Sequence, residues 1–300
     1  MALVPFDDRD GQIWYDGALV PWREAKLHVL SHGLHYASSV FEGERAYGGN
    51  IFKLRAHTER LVNSAELLGF QIPYSVDDID AACRQTLAAN GQTEAYVRPI
   101  AWRGAEQLSV SAQATTIHLA IATWPWPNLF GADRMKGVRL GMATWKRPHP
   151  ETAPTASKTA SLYAIGTLSK HAAEAAGFDD ALMLDWRGQV AEATGANIFF
   201  VMDGALHTPP PDCFLNGITR RSVMALARRR QFQVIERPIQ PDEMPRANEV
   251  FLAGTAAEVT PVRQIGEHAF TPGPITETLL RDYEALVRLS PEEVERQAPI

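Results

Sequence analysis

"DALMLDWRGQVAEATGANIFFVMDGALHTP", residues 180–209, decides the fold class. Two apolar runs flank Arg187-Gly188, and two more flank Asp203-Gly204, so each half predicts a hairpin with a tight turn. Downstream, ITRRSVMALARRR (218–230) has helical spacing behind Asn216-Gly217, and VFLAGTAAEVTPV (250–262) reads as a strand running into a tight turn. Upstream, VRLGMATW (138–145) is strand-like, RPHPETAPTASK (147–158) is a proline-broken loop, and a helix is predicted from about Ser161 to Ala176. Strands and hairpins with interspersed helices, rather than a regular alternation of strand and crossover helix, argue for an α+β architecture and against a doubly wound sheet.

The first half extends this pattern. IWYDGALVPW (13–22) predicts a hairpin at Asp16-Gly17. Leu61, Val62, Ala65 and Leu68 recur at helical spacing before Gly69, and DDIDAACRQTLAANG (77–91) repeats the pattern before Gly91. AYVRPIAW (95–102) and TIHLAIATW (116–124) read as strands. WPWPNLFGADRMKG (124–137) has two prolines and no period, which places a linker between two domains. The expected division is 1–127 as an N-terminal domain, 128–136 as the interdomain loop, and 137–300 as a C-terminal domain carrying Lys158.

With 300 residues, 45% of them hydrophobic, the chain can bury a sizeable core. Its formal charge of −6 argues against holding nucleic acid or an anionic membrane by net charge. Cys83 and Cys213 stand far apart without metal-ligand or CxxC spacing, which suggests neither a disulfide framework nor a zinc site. MALVPFDDRDG is acidic and lacks an apolar signal core, and no run of eighteen apolar residues occurs. A soluble, cytoplasmic protein is expected.

Several residues could carry chemistry. Lys158 lies just before a predicted helix, where the dipole disfavours a cation, and Ala156, Ser157, Thr159, Ala160 and Ser161 offer it no carboxylate. Both effects favour a neutral, nucleophilic amine suited to a Schiff base. The alternative is a solvated loop lysine, as Lys170 is read to be. Glu192 shares a strand face with Val190 and Thr194: it either points into the core and needs a cationic partner, or faces water at a sheet edge. Asn216-Gly217-Ile218-Thr219 opens a helix with free N–H groups and a hydroxyl, an arrangement that receives phosphate, and Gly254-Thr255-Ala256-Ala257 could add a second set. Such turns also cap ordinary elements. Arg55 is badly placed for its helix dipole unless an anion sits close.

Two other signals take blander readings. His28, His32 and His35 have the spacing of a helix face that could bind a metal, but Gly33 and the lack of a nearby carboxylate favour ordinary hydrogen-bonded histidines. Arg220, Arg221, Arg228, Arg229 and Arg230 could meet nucleic acid, but no RNA or DNA fold signature accompanies them, so a solvated helix face is expected.

Together, IWYDGALVPW, SHGLHYASSVFEGERAY, AYVRPIAWRG, the Ser157-Lys158 pair before Tyr163, AEATGANIFFV, NGITR and GTAAEVTPV resemble the branched-chain-amino-acid aminotransferases, pyridoxal 5′-phosphate enzymes of fold type IV. The resemblance spans nearly the whole chain. It implies a two-domain α+β fold with the cofactor at the domain interface, Lys158 as the Schiff-base lysine that also shuttles a proton between substrate Cα and cofactor C4′, and Glu192 as the carboxylate on the pyridine nitrogen. Tyr163 would bond the phenolate oxygen; Arg55, Ile218, Thr219 and Thr255 would form the phosphate cup. Thr255, Ala256, Ala257 and Tyr96 would hold the substrate α-carboxylate, and Tyr36, Phe41, Gly43 and Val110 would line an apolar pocket. Arg98 would meet the side-chain carboxylate of glutamate. Tyr36 and Val110 would come from a neighbouring subunit, so a homodimer is the smallest complete unit.

The implied substrates are leucine, isoleucine or valine and 2-oxoglutarate, with neither nucleic acid nor membrane as partner. The alternatives are another fold type IV enzyme, either a D-amino-acid aminotransferase or aminodeoxychorismate lyase, or a nucleic-acid-binding protein using the Arg220–Arg230 helix. The sequence departs from the commoner family pattern at Thr159-Ala160-Ser161-Leu162 after Lys158, at Ser109 before Val110, and at Ala196 before Asn197.

Overall fold

A computed structural model describes residues 4–126 and 131–300. Of the expected linker, residues 127–130 lie outside this description; Trp124-Pro125 ends a strand and Gly131–Lys136 forms a 3-10 helix. The chain divides into two units, one of 1–127 with Ser157–Ser161 and one of 128–156 with 162–300. Lys158 therefore belongs to the first unit.

In the first unit, β1 (Gln12–Tyr15) and β2 (Ala18–Pro21) turn at Asp16-Gly17, where both residues have positive φ. The short α1 (His32–His35) precedes β3 (Ser39–Phe41), β4 (Glu44–Tyr47) and β5 (Asn50–Ile51). Next come α2 (Leu54–Leu67), α3 (Val76–Ala89), β6 (Ala95–Arg103) and β7 (Ile117–Pro125). The sheet runs β2-β1-β7-β6-β4-β5, with β3 also on β6. Leu61 and Ala65 of α2 and Ile79, Cys83 and Leu87 of α3 are buried in one core with Val97, Leu119 and Ile121 of the sheet. Ser75 and Asp78 form a reciprocal cap that starts α3. Gly69, at φ +72°, follows α2 in the left-handed geometry a helix end favours.

In the second unit, β8 (Val138–Met142) leads through a long loop to α4 (Tyr163–Ala175). The hairpins β9 (Asp180–Leu184)/β10 (Val190–Ala193) and β11 (Asn197–Met202)/β12 (Ala205–Thr208) follow. Then come α5 (Ile218–Arg229), β13 (Val234–Glu236), β14 (Glu249–Gly254), β15 (Glu258–Ile265), β16 (His268–Ala269), α6 (Pro274–Leu286) and α7 (Pro291–Gln297). The sheet order is β10-β9-β8-β15-β14-β11-β12-β13, and a further β10–β11 pairing closes six strands on themselves. Closure removes the open edge that β10 would otherwise present. Glu192 consequently does not sit at a free edge. The pairs β8–β9 and β12–β13 are parallel and need a helical crossover, supplied by α4 and α5. The hairpins still dominate, so the fold is α+β.

Candidate active site

Lys158 is fixed by its backbone. Its N–H donates to Ser64 Oγ at 3.0 Å, its carbonyl accepts from Phe41 N–H at 3.1 Å, and Ser157 Oγ donates to the Ser64 carbonyl at 2.9 Å. Thr159 bridges to Val40, and both Ser157 and Thr159 are buried. Lys158 thus lies in an extended segment on β3. Since α4 begins only at Tyr163, after a 3-10 turn at Ala160–Leu162, the helix-start placement expected for Lys158 is replaced by one held through α2 and β3. Its Nζ stands 5.2 Å from the centre of the Phe41 ring.

Beside this segment is a charged cluster that sequence reasoning missed. Glu42 is fully buried and receives two bonds from Arg60, both 2.7 Å, and one contact of 2.6 Å with His57 Nδ1. Burial alone pushes the Glu42 carboxyl up, but the Arg60 and His57 contacts together outweigh it and hold Glu42 well below the usual carboxylate range. His57 shifts down, chiefly through burial, with Glu42 opposing and the Arg60 and Lys158 cations assisting.

Arg55 is elsewhere. Half-exposed, it pairs with Asp77 and, at 3.1 Å, with Asp80. Five residues along a helix is a rotation of about 140° between faces, whereas Arg60 and Ser64, four apart, share a face. The anion that offsets the Arg55 dipole is thus a pair of aspartates, and the arginine on the Lys158 side of α2 is Arg60.

Tyr96 and Arg98 on β6 meet through Arg98 Nη2 and the Tyr96 hydroxyl at 3.2 Å. The Arg98 guanidinium lies 4.7 Å from the Phe41 ring centre. Gly43 faces the Tyr96 hydroxyl so closely that any Cβ would collide with it. Tyr36 and Val110 are exposed, Val110 at 88%, and both line an open groove of about 1010 Å³ with His32 and Arg103. His32 bonds Ser38 Oγ and the Ser109 carbonyl, and His35 bonds the Val29 carbonyl. Of His28, His32 and His35 the last two lie in α1 and His28 does not, and no metal-competent group of His, Cys, Asp and Glu occurs among the described residues.

In the second unit, a bulge between Val190 and Glu192 interrupts the β9 pairing. Glu192 is 8% exposed. Its Oε1 lies 2.9 Å from Arg147 Nη2 and its Oε2 accepts from Asn197 Nδ2 at 3.0 Å. The required cation is therefore Arg147, whose own N–H donates to the Leu184 carbonyl. Nothing in the proline-broken loop signalled it. Asn197 also donates to the Leu215 carbonyl, and a Cβ on Gly217 would strike Asn197 Oδ1. Asn197 and Gly217 therefore hold the start of α5 against Glu192.

No side chain caps α5, and Ile218 and buried Thr219 form its first turn. The free N–H groups there suit an anion. Arg220 departs from the expected solvated face: it is 1% exposed and binds Asn216 Oδ1, the Pro209 carbonyl and Glu236. It anchors the loop leading to α5, while Arg228, Arg229 and Arg230 are exposed, Arg230 pairing with Asp282. Tyr163 opens α4, and Thr255–Ala257 form the turn between β14 and β15.

The class IV aminotransferase family profile matches residues 39–265. The branched-chain-amino-acid aminotransferase of Pseudomonas aeruginosa is 42% identical over 288 residues, 93% of this chain and 94% of that one. Two solved structures of the T.th. branched-chain amino acid aminotransferase are each 38% identical and cover 96% of this chain and 98% of that one. The form with pyridoxamine 5′-phosphate gives a TM-score of 0.92, and the form with N-(5′-phosphopyridoxyl)-L-glutamate gives 0.91. With these matches spanning the chain, the protein belongs to the branched-chain-amino-acid aminotransferases of the class IV aminotransferase family.

Proposed function

We propose that the protein transfers the amino group between branched-chain L-amino acids and 2-oxoglutarate by a ping-pong reaction on pyridoxal 5′-phosphate. The observation that carries this reading is Glu192, a buried carboxylate gripped by Arg147 and Asn197 beside an uncapped helix start. This donor set suits the group: an anionic acceptor for a ring N–H, and free amides with the Thr219 hydroxyl for a phosphate. The cofactor supplies an electron sink for charge developing at the substrate Cα.

The chain supplies the rest. Lys158 holds the cofactor covalently and carries a proton to and from Cα; its fixed backbone limits where the amine can swing. Glu192 keeps the pyridine nitrogen protonated, and Arg147 and Asn197 orient its carboxylate. Tyr163 donates to the phenolate oxygen. Ile218, Thr219 and Thr255 receive the phosphate, with Arg60 rather than Arg55 as the arginine on the Lys158 side. Tyr96, Thr255, Ala256 and Ala257 hold the α-carboxylate. Phe41 and Gly43 shape an apolar pocket, while Arg98 meets the second carboxylate of glutamate. Exposed Tyr36 and Val110 serve a second copy of the chain, making a cytoplasmic homodimer the active form.

The test is a visible spectrum of the purified protein with pyridoxal phosphate, followed by L-leucine and then 2-oxoglutarate. The band of the lysine-bound cofactor should disappear with leucine and return with the oxo acid. A band indifferent to leucine but responsive to D-alanine overturns the substrate assignment, and no band at all overturns the cofactor.

A further inference from the structure

The β14–β15 hairpin closes through Thr255-Ala256-Ala257, with Gly254 and Glu258 opposite one another in the ladder. Left-handed backbone is the conformation glycine adopts most easily. Here the first strand residue after the loop, Glu258, adopts it, at φ +52° and 4% exposed. A buried non-glycine residue held in this conformation persists only where its surroundings over-determine it.

The surroundings do so through its carboxylate. Arg134 Nη2 donates to Glu258 Oε2, and Arg134 Nη1 donates to Glu284 on α6. The Arg134 side chain is only 9% exposed, so little solvent screens the Glu258 pair. A further bond from the Thr260 hydroxyl to the Ala257 carbonyl fixes the end of the same loop. Arg134 thus ties the turn to α6 from outside the loop, without belonging to it.

We propose that Arg134 is a positioning residue for carboxylate capture: through Glu258 it sets the orientation of the Ala256 and Ala257 peptide groups that receive the substrate α-carboxylate. The inference rests on the carboxylate role proposed above for that turn. Amino acids and oxo acids share this carboxylate, so loosening the turn weakens every substrate alike. Loss of Arg98, by contrast, singles out the dicarboxylic one.

The experiment compares holoenzyme with Arg134→Ala, Arg134→Lys, Glu258→Gln and the Arg134→Ala/Glu258→Gln double variant. Arg134→Ala should raise KM for L-leucine and for 2-oxoglutarate by about tenfold each, with kcat and the bound-cofactor spectrum nearly unchanged. Arg134→Lys should recover part of the loss, and the double variant should be no worse than the worse single one. Calorimetric titration with 4-methylpentanoate, a carboxylate with no amino group to transfer, should show the same weakening. That titration judges the clamp even if the wild type does not transaminate leucine, an outcome that would overturn the substrate reading alone. Unchanged affinity for 4-methylpentanoate in Arg134→Ala, a KM rise confined to one substrate, or a wild type that binds no such carboxylate overturns the inference. If Arg134→Ala fails to fold, Arg134→Lys and Glu258→Gln decide the matter by the same readouts.

Discussion

Glu44 offers a quantitative test of how the first unit is built. On β4 it is fully buried, and neither carboxyl oxygen has a hydrogen-bond partner. Burial, then Glu42 and Asp80, push its carboxyl well above the ordinary range, and Arg60 opposes them too weakly to reverse this. The folded protein therefore holds Glu44 protonated at pH values where the unfolded chain has lost that proton. A raised folded value means that the contribution of this group is fully present below the unfolded pKa and is lost as pH rises toward the folded one. Between those limits the loss approaches about 1.4 kcal/mol per pH unit. Glu44→Gln has nearly the same shape and cannot titrate, so its stability relative to wild type should climb with pH above roughly pH 5.5, with a limiting slope of about 1.4 kcal/mol per unit. The unpaired amide of the glutamine adds a constant cost, which drops out of the slope. Urea unfolding of both proteins at about pH 5.5, 6.5 and 7.5 measures it. Parallel pH profiles would refute the reasoning, since they require Glu44 to be ionised or solvated in the fold.

Three further outcomes are expected. Arg60→Ala should weaken pyridoxal phosphate binding and destabilise the fold by about 3 kcal/mol, because buried Glu42 loses both arginine bonds and keeps His57 and the Gly43 N–H; Arg55→Ala should cost less, because its Asp77 pair is exposed and buried Asp80 keeps the Thr58 hydroxyl bond. Cofactor titration and denaturant melts decide this, and the reverse order would overturn the helix-face assignment. Glu192→Gln should retain cofactor but lower kcat by about a hundredfold or more if, as proposed, the charge removed serves the ring nitrogen; a normal rate in single-turnover assays would show that Glu192 does not act there. Arg98→Ala should impair the glutamate half-reaction more than the leucine half-reaction, and equal losses in separate half-reaction assays would remove its dual-substrate role.

The fold was legible wherever a few neighbouring residues dictate the backbone. Asp16-Gly17 and Asp203-Gly204 turn with positive φ because tight hairpins demand it, and these pairs adopt it readily. Helices α2 and α3 followed from spacing and glycine stops for the same reason. The candidate residues stood out by type, but their pairings were not legible, because these depend on segments remote in sequence. Lys158 stood out as a lysine among small residues, but what places it is Ser64, 94 positions away. Glu192 called for a cation only if it faced the core rather than water, and Arg147, which answers it, lies in a loop with no period to reveal its direction. Arg55 and Arg60 occupy one helix and each answers an acid; only the faces taken by Asp80 and Glu42 separate them. Arg220 looked solvated because it belongs to a run of arginines, although its own position on α5 points at Glu236. In each case the sequence shows the residue, and tertiary packing chooses its partner.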